Sequence, residues 1–315
     1  MPHSPIASAD RPPLVSILVV NYNSGEWLAR CAQAALASTV SIEFLVGDNA
    51  SSDDSLLRLS SACGGDPRLS ITENEANLGF AKAVNRLLGN ARGDWLLLLN
   101  PDCLLAPDTL ERTVEILSTA RTQHPRIGMS GVLIRNPDGS EQRGCRRLLP
   151  TPQSAFFRSL PFGAALARKF GISPVAANFD LTGTPLPAAP VAVPAISGAF
   201  MLVSREALDV VGGMDEGYFL HCEDLDWCAR FSRAGYEILF VPEVEIIHRQ
   251  GACSEGRRLR VEWHKHRGMA RYFRKFHQDA SLPLRICVHL GIWLRFCAVA
   301  FLILLIQPFR KSAGT

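Results

Sequence analysis

With 315 residues, 47% of them hydrophobic and 20% charged, the chain can bury a sizeable core and is too apolar to be disordered. A formal net charge of +3 is too small to mark a nucleic-acid-binding protein. Nine cysteines, with no CxxC pair and no secretory signal, point to a reducing compartment rather than a disulfide framework.

Residues 1–13 are polar and Pro-rich and read as a flexible lead-in. Short apolar runs then alternate with helical patterns. Strands are predicted at 14–20, 42–47, 68–72 and 94–99, and helices at 26–38, 52–62, 80–91 and 107–120. Continuous apolar strands separated by helices predict a doubly wound, mostly parallel α/β sheet with helices on both faces. Residues 136–194 break this rhythm with Pro174, Pro185, Pro187, Pro190 and Pro194 and read as a long loop over the site. A strand at 195–203, a helix at 223–234, strands at 236–241 and 245–248, and a basic, aromatic helix at 261–277 follow. Residues 14–255 thus form the main domain, and 256–315 a helical extension.

The extension ends in a nearly unbroken apolar run from Ile286 to Ile306, long enough to cross a bilayer. His289 and Arg295 interrupt it, and Arg310 and Lys311 follow it. A helix lying in the membrane interface fits this pattern better than a span. A buried helix or a dimer contact is the competing reading.

In a doubly wound sheet, ligands bind beyond the carboxyl ends of the strands. Three strands end in polar residues: Asn21, Tyr22 and Asn23; Asp48, Asn49, Ser51 and Asp53; Asn100 and Asp102. Asp102, closing a very apolar strand, suits a hard divalent cation. Asp108 is the better helix cap, which leaves Asp102 free for metal. His248 also closes an apolar strand. Glu223, Asp224 and Asp226 open a helix, where the dipole stabilises acids. Asp226 is placed to cap the helix or to pair with Arg230. Apolar neighbours could raise the pKa of Glu223 or Asp224, and either acid could serve as a general base. Gly79 allows close backbone approach, and the helix it precedes offers N–H groups to an anion.

Together the segments VSILVVNYNSGEWL, VGDNASSDDS, NEANLGFAKAVN, GDWLLLLNPDC, SGAFMLVSREAL, GGMDEGYFLHCEDLDWCARFSRAGY and IIHRQGACS cover residues 14–253. As a set they resemble the inverting family-2 glycosyltransferases of GT-A fold, in particular rhamnosyltransferase-like enzymes of cell-surface polysaccharide assembly. The resemblance implies a nucleotide-sugar donor, dTDP- or UDP-linked, with dTDP-rhamnose the best match. It implies a saccharide or lipid-linked acceptor and Mg²⁺ or Mn²⁺ as cofactor. Asp48 would accept a hydrogen bond from the pyrimidine ring. Tyr22, Asn23 and Asn49 would line the nucleoside pocket, and Asn77 and Gly79 would lie near base and ribose. Asn100 stands where the commoner DxD motif has an acid. Asp102 and His248 would hold the metal, and Asp224, beside Glu223, would be the catalytic base. Arg143, Arg146 and Arg147 would cover the donor or acceptor side. The enzyme would work in the cytoplasm, peripherally held on the inner face of the cell membrane by its tail.

A UDP-hexose or galactofuranose donor on the same fold is the main alternative. A nucleotidyltransferase would need a Gly-rich basic loop after the first strand, where this chain reads NYNSGEWL. A non-catalytic scaffold at the membrane would not need the acids at 102, 223 and 224.

Overall fold

The computed structural model describes residues 14–159, 163–173, 175, 176, 179–249 and 258–311. The lead-in expected at 1–13, Pro174, and the Gln250–Gly251 turn lie outside them.

Strands β1 (Val15–Asn21), β2 (Ile42–Asp48) and β4 (Trp95–Leu99) are buried at every residue, which is why their sequences run apolar instead of alternating. β3 (Leu69–Glu73) lies at the sheet's edge and is only partly buried. Helices α1 (Trp27–Leu36), α2 (Ser55–Cys63) and α3 (Phe80–Leu88) connect them. β5 (Cys103–Leu104) and α4 (Thr109–Ala120) follow. Beyond them lie β6 (Ile127–Arg135), β10 (Phe200–Ser204) and β11 (Glu237–His248).

The sheet order is β3-β2-β1-β4-β10-β6-β11-β5, with β8 (Val191–Ala192) on β11. β3, β2, β1 and β4 run parallel, as do β6 and β11, and these ladders carry most of the paired residues. β10 enters antiparallel between β4 and β6. The core is built around Ile17, Phe44, Leu96, Phe200 and Phe240.

Among the elements that sequence periodicity did not show are a strand and a helix of the main domain. β6 sits inside the sheet, but Gly128, Ser130 and Gly131 dilute its apolar pattern. Those glycines are needed: a Cβ on Gly131 would lie 2.9 Å from the Ile196 side chain. Helix α7 (Arg205–Val211) is short, and the Ser204 hydroxyl caps it by accepting the Ala207 N–H at 3.3 Å. The strands expected at 236–241 and 245–248 are one strand, with a register shift between Val241 and Glu245. The expected strand at 195–203 divides into β9 (Ala195–Ile196) and β10 around the Ser197–Ala199 turn. Asp108 does not cap α4 with its side chain and instead faces Arg112.

Within 136–194, β7 (Arg146–Arg147) pairs with β9, and α5 (Pro152–Ser159) and α6 (Gly163–Lys169) form a small cluster around Phe157 and Ala167. Helix α8 (Glu223–Arg233) carries the acidic segment. α9 (Arg258–Phe276) packs on α10 (Leu282–Lys311), with Trp263 against Trp293 and Phe296 at 5.2 and 5.4 Å. The Leu282–Leu305 stretch of α10 has a mean hydropathy of 2.2 and an apolar surface left uncovered by the rest of the chain.

Candidate active site

A cavity of about 450 Å³ opens beyond the carboxyl ends of β1, β2 and β4. It brings together Tyr22, Asn49, Asn77, Gly79, Asn100, Asp102, Glu223, Asp224 and His248. Of the sequence-predicted site residues, Asn23 and Asp48 stand behind this wall rather than in it.

Asp48 is 2% exposed and braces the two loops. Its carboxylate accepts from the Asn21 amide at 2.7 Å and from the Ser51 hydroxyl and N–H at 2.6 and 2.9 Å. Asn23 adopts a left-handed backbone (φ 56°), and its side chain accepts the Ser52 N–H at 2.7 Å. The Asn49 amide donates to the Gly79 carbonyl at 3.1 Å, and Asn77 accepts the Gly79 N–H at 2.9 Å. Gly79 has φ 81°, and a Cβ there would meet the Phe219 carbonyl at 2.6 Å. The close approach at this glycine is therefore to the chain's own backbone. The Phe80 N–H donates to that same carbonyl at 2.7 Å, so the first donor of α3 is not free for an anion as the sequence had implied.

At one end of the cavity, Asn100, Asp102 and His248 converge from the ends of β4 and β11. Gln142 fixes the histidine. Its amide nitrogen donates to the Asn136 side chain at 2.9 Å and to the His248 carbonyl at 3.2 Å. Its oxygen therefore faces His248 Nδ1, 2.6 Å away, and that nitrogen carries the proton. Nε2 is left with a lone pair, 3.1 Å from Oδ1 of Asp102. Two lone-pair donors this close and almost wholly buried, with the Asn100 amide nitrogen also 3.3 Å from Nε2, form a pair that could hold a cation. Their spacing suits adjacent ligands of an ion with bonds of about 2.1 Å. Cys103 Sγ belongs to the same group, whose ligand atoms all lie within 4.8 Å of one another. Its thiol donates to the Ala199 carbonyl at 3.5 Å, and hard cations prefer oxygen ligands.

Across the cavity, α8 begins with Glu223 and Asp224. Glu223 is 6% exposed, and its Oε2 has no hydrogen-bond partner among the described residues. Burial, reinforced by the Asp224 charge, holds its carboxyl well above the usual carboxylate range. Burial pushes Asp224 the same way, but the Arg147 guanidinium bonded to Oδ2 outweighs it and keeps this carboxyl below its ordinary value. The two neighbours are thus driven apart, although the sequence predicted a raised value for either. Asp226 pairs with Arg230 at 2.8 Å, as expected, and also with Lys275 at 2.7 Å.

Arg143 and Arg147 line the cavity, whereas Arg146 is buried in an ion pair with Glu141 at 2.8 Å. Gln142, and the wall formed by Phe219, Arg260 and His264, had no sequence signal. Phe219 stacks on His264 with ring centroids 4.2 Å apart, and Arg260 lies over the same ring at 5.7 Å.

Residues 16–159 match the profile of glycosyl transferase family 2. The chain is 30% identical over 263 residues to the N-acetylglucosaminyl-diphospho-decaprenol L-rhamnosyltransferase of Mycobacterium tuberculosis, covering 78% of each chain. A 52-residue stretch, 16% of this chain and 20% of the relative, is 46% identical to a rhamnosyltransferase of Escherichia coli. The solved structure of a Pyrobaculum calidifontis mannosyltransferase, in complex with GDP-Man and Mn²⁺, superposes with a TM-score of 0.56. It covers 97% of this chain and 77% of that one at 18% identity, a likeness of GT-A fold. With the fold, the cavity at the strand ends and a similar rhamnosyltransferase matched over most of its length, the chain belongs to the family-2 glycosyltransferases and is a glycosyltransferase.

Proposed function

We propose that the protein transfers rhamnose from dTDP-rhamnose to a hydroxyl of a lipid-linked saccharide, with inversion, in the assembly of a cell-surface polysaccharide. The observation that carries this reading is one cavity joining the Asp102–His248 pair to the Asp224 carboxylate beside the Tyr22, Asn49 and Asn77 wall. The mycobacterial relative's name supports the sugar and the lipid-linked acceptor.

Tyr22, Asn49, Asn77 and Gly79 form the nucleoside side, with Asn23 and Asp48 bracing it from behind. Asp48 would meet the pyrimidine ring only at the edge its own loop leaves free. Asp102 and His248 would hold Mg²⁺ or Mn²⁺, with Gln142 keeping the histidine lone pair on the side facing Asp102. A divalent ion there supplies charge neutralisation for the departing diphosphate. Asp224 takes the proton as the acceptor oxygen bonds to the anomeric carbon and the bond to the diphosphate oxygen breaks. Attack from the opposite face inverts the configuration. Glu223, held protonated, does not act as the base.

The acceptor enters beside α9, which contributes Arg260, Val261 and His264 to the cavity and carries α10 on its other side. An exposed apolar helix joined to a cavity wall suits an enzyme held on the cytoplasmic face of a membrane.

Calorimetric titration with dTDP, UDP and GDP, each with and without Mn²⁺, tests the reading. Metal-dependent binding of dTDP that is lost in Asp102→Ala supports it. Preference for UDP would move the donor to a hexose or galactofuranose nucleotide. No metal-dependent binding of any of the three would overturn the donor site.

A further inference from the structure

We propose that Arg147 is a movable clamp, held on the Asp224 carboxylate until the diphosphate of the donor draws it away. The inference rests on the reading of Asp224 as base and of the cavity as a nucleoside-diphosphate site. Both residues line that cavity, and Nη2 of Arg147 donates both to Asp224 Oδ2 and to the Ile196 carbonyl. The other carboxylate oxygen accepts the Leu225 N–H at 2.8 Å. In this arrangement Asp224 is engaged at both oxygens and faces a full positive charge. Such a carboxylate is a poor proton acceptor.

The clamp is not satisfied where it stands. Nε of Arg147 is buried and has no acceptor among the described residues. An unmet donor on a charged group is costly. A guanidinium fork matches a phosphate at two points at once, so an incoming diphosphate offers what the present position lacks. The backbone can stay fixed while the side chain swings. Arg146 beside it is anchored by Glu141 at 2.8 Å and the Thr184 hydroxyl at 3.0 Å, and β7 is paired to β9.

Among the described residues, the other titratable groups facing Asp224 are Glu223, Cys222, His221 and Cys228 from the same segment, while Lys265 and Glu262 from α9 face His221. Glu223 is held protonated, and burial keeps His221 below its ordinary value, so neither competes with Arg147 as the partner of Asp224. Arg147 thus couples the two substrates. The base is quiet without donor and gains proton affinity once the donor phosphates hold the guanidinium.

Competition for one group is reciprocal: what loosens the Asp224 contact must tighten the phosphate contact by the same factor. The full chain is titrated with dTDP and with UDP in Mn²⁺, as wild type, Asp224→Asn, Arg147→Met and the double variant. Asp224→Asn is expected to tighten binding about fivefold or more. Arg147→Met is expected to weaken it about tenfold. The double variant should match Arg147→Met alone, because Asp224 acts on the diphosphate only through the arginine. Unchanged affinity in Asp224→Asn, or an Asp224→Asn gain that persists without Arg147, would overturn the clamp. A purely structural arginine would show no such coupling. If Arg147→Met does not fold, Arg147→Lys takes its place in the single and double variants. Failure of wild type to bind either diphosphate would instead sink the donor reading, and the clamp with it.

Discussion

Gln142 Oε1 lies 2.6 Å from His248 Nδ1, so a residue of the Pro-rich excursion sets the tautomer of the histidine that closes β11. Gln142→Leu keeps the volume and removes the acceptor. Mn²⁺ affinity, measured by calorimetry or by the spectrum of free Mn²⁺, should fall about 10- to 100-fold. The global fold should persist, with a loss of about 1–3 kcal/mol for the unmet buried donor. Unchanged Mn²⁺ affinity would show that His248 is not a ligand.

Glu223 gives a stability prediction with a definite sign. Its folded-state pKa is raised, first by burial and then by Asp224. Its stabilising contribution is therefore complete at pH below the unfolded value, near about 4.3. That contribution fades as pH rises toward the folded value, because the unfolded chain ionises first. Glu223→Gln removes this loss. Thermal unfolding of the variant should match wild type near pH 4 and exceed it near pH 8. A variant less stable at pH 8 than wild type would mean that Glu223 is ionised and paired.

Gly79→Ala should destabilise the protein by about 1–3 kcal/mol or more in urea unfolding. The position combines φ 81° with a Cβ path that meets the Phe219 carbonyl at 2.6 Å. Because Phe219 also stacks on His264, the same change should weaken nucleoside-diphosphate binding. An Ala variant as stable as wild type would contradict this packing.

The apolar tail makes a separable prediction. A chain ending after Ser281 should leave the membrane fraction and stay folded, since no residue of the Leu282–Leu305 stretch is itself buried and its aromatic contacts are with the face of α9 around Trp263. Sedimentation with anionic vesicles checks it. Full-length protein that stays in the supernatant would end the membrane reading.

The parallel half of the sheet was legible because β1, β2 and β4 are buried on both faces and therefore run apolar without interruption. β6 was not, because close packing of Gly131 against Ile196 replaces large side chains with small ones. Strand ends gave Asn100, Asp102 and His248, since local sequence shows where a strand stops. Nothing local shows what an arginine 77 residues away will touch, and the Arg147–Asp224 contact is of that kind. The same is true of the Phe219 carbonyl that occupies the start of α3.

Lys275 lies 2.7 Å from both Asp215 and Asp226, and Arg271 also pairs with Asp215 at 2.7 Å. These contacts fasten α9 to the segment that opens into the acidic helix α8. Helix α9 consequently belongs with the catalytic domain and not with the apolar helix that follows it. A graft of this enzyme onto a foreign membrane anchor has to be spliced after His277. Spliced before Arg258, it would discard both the ties of the acidic segment and one wall of the chamber it serves.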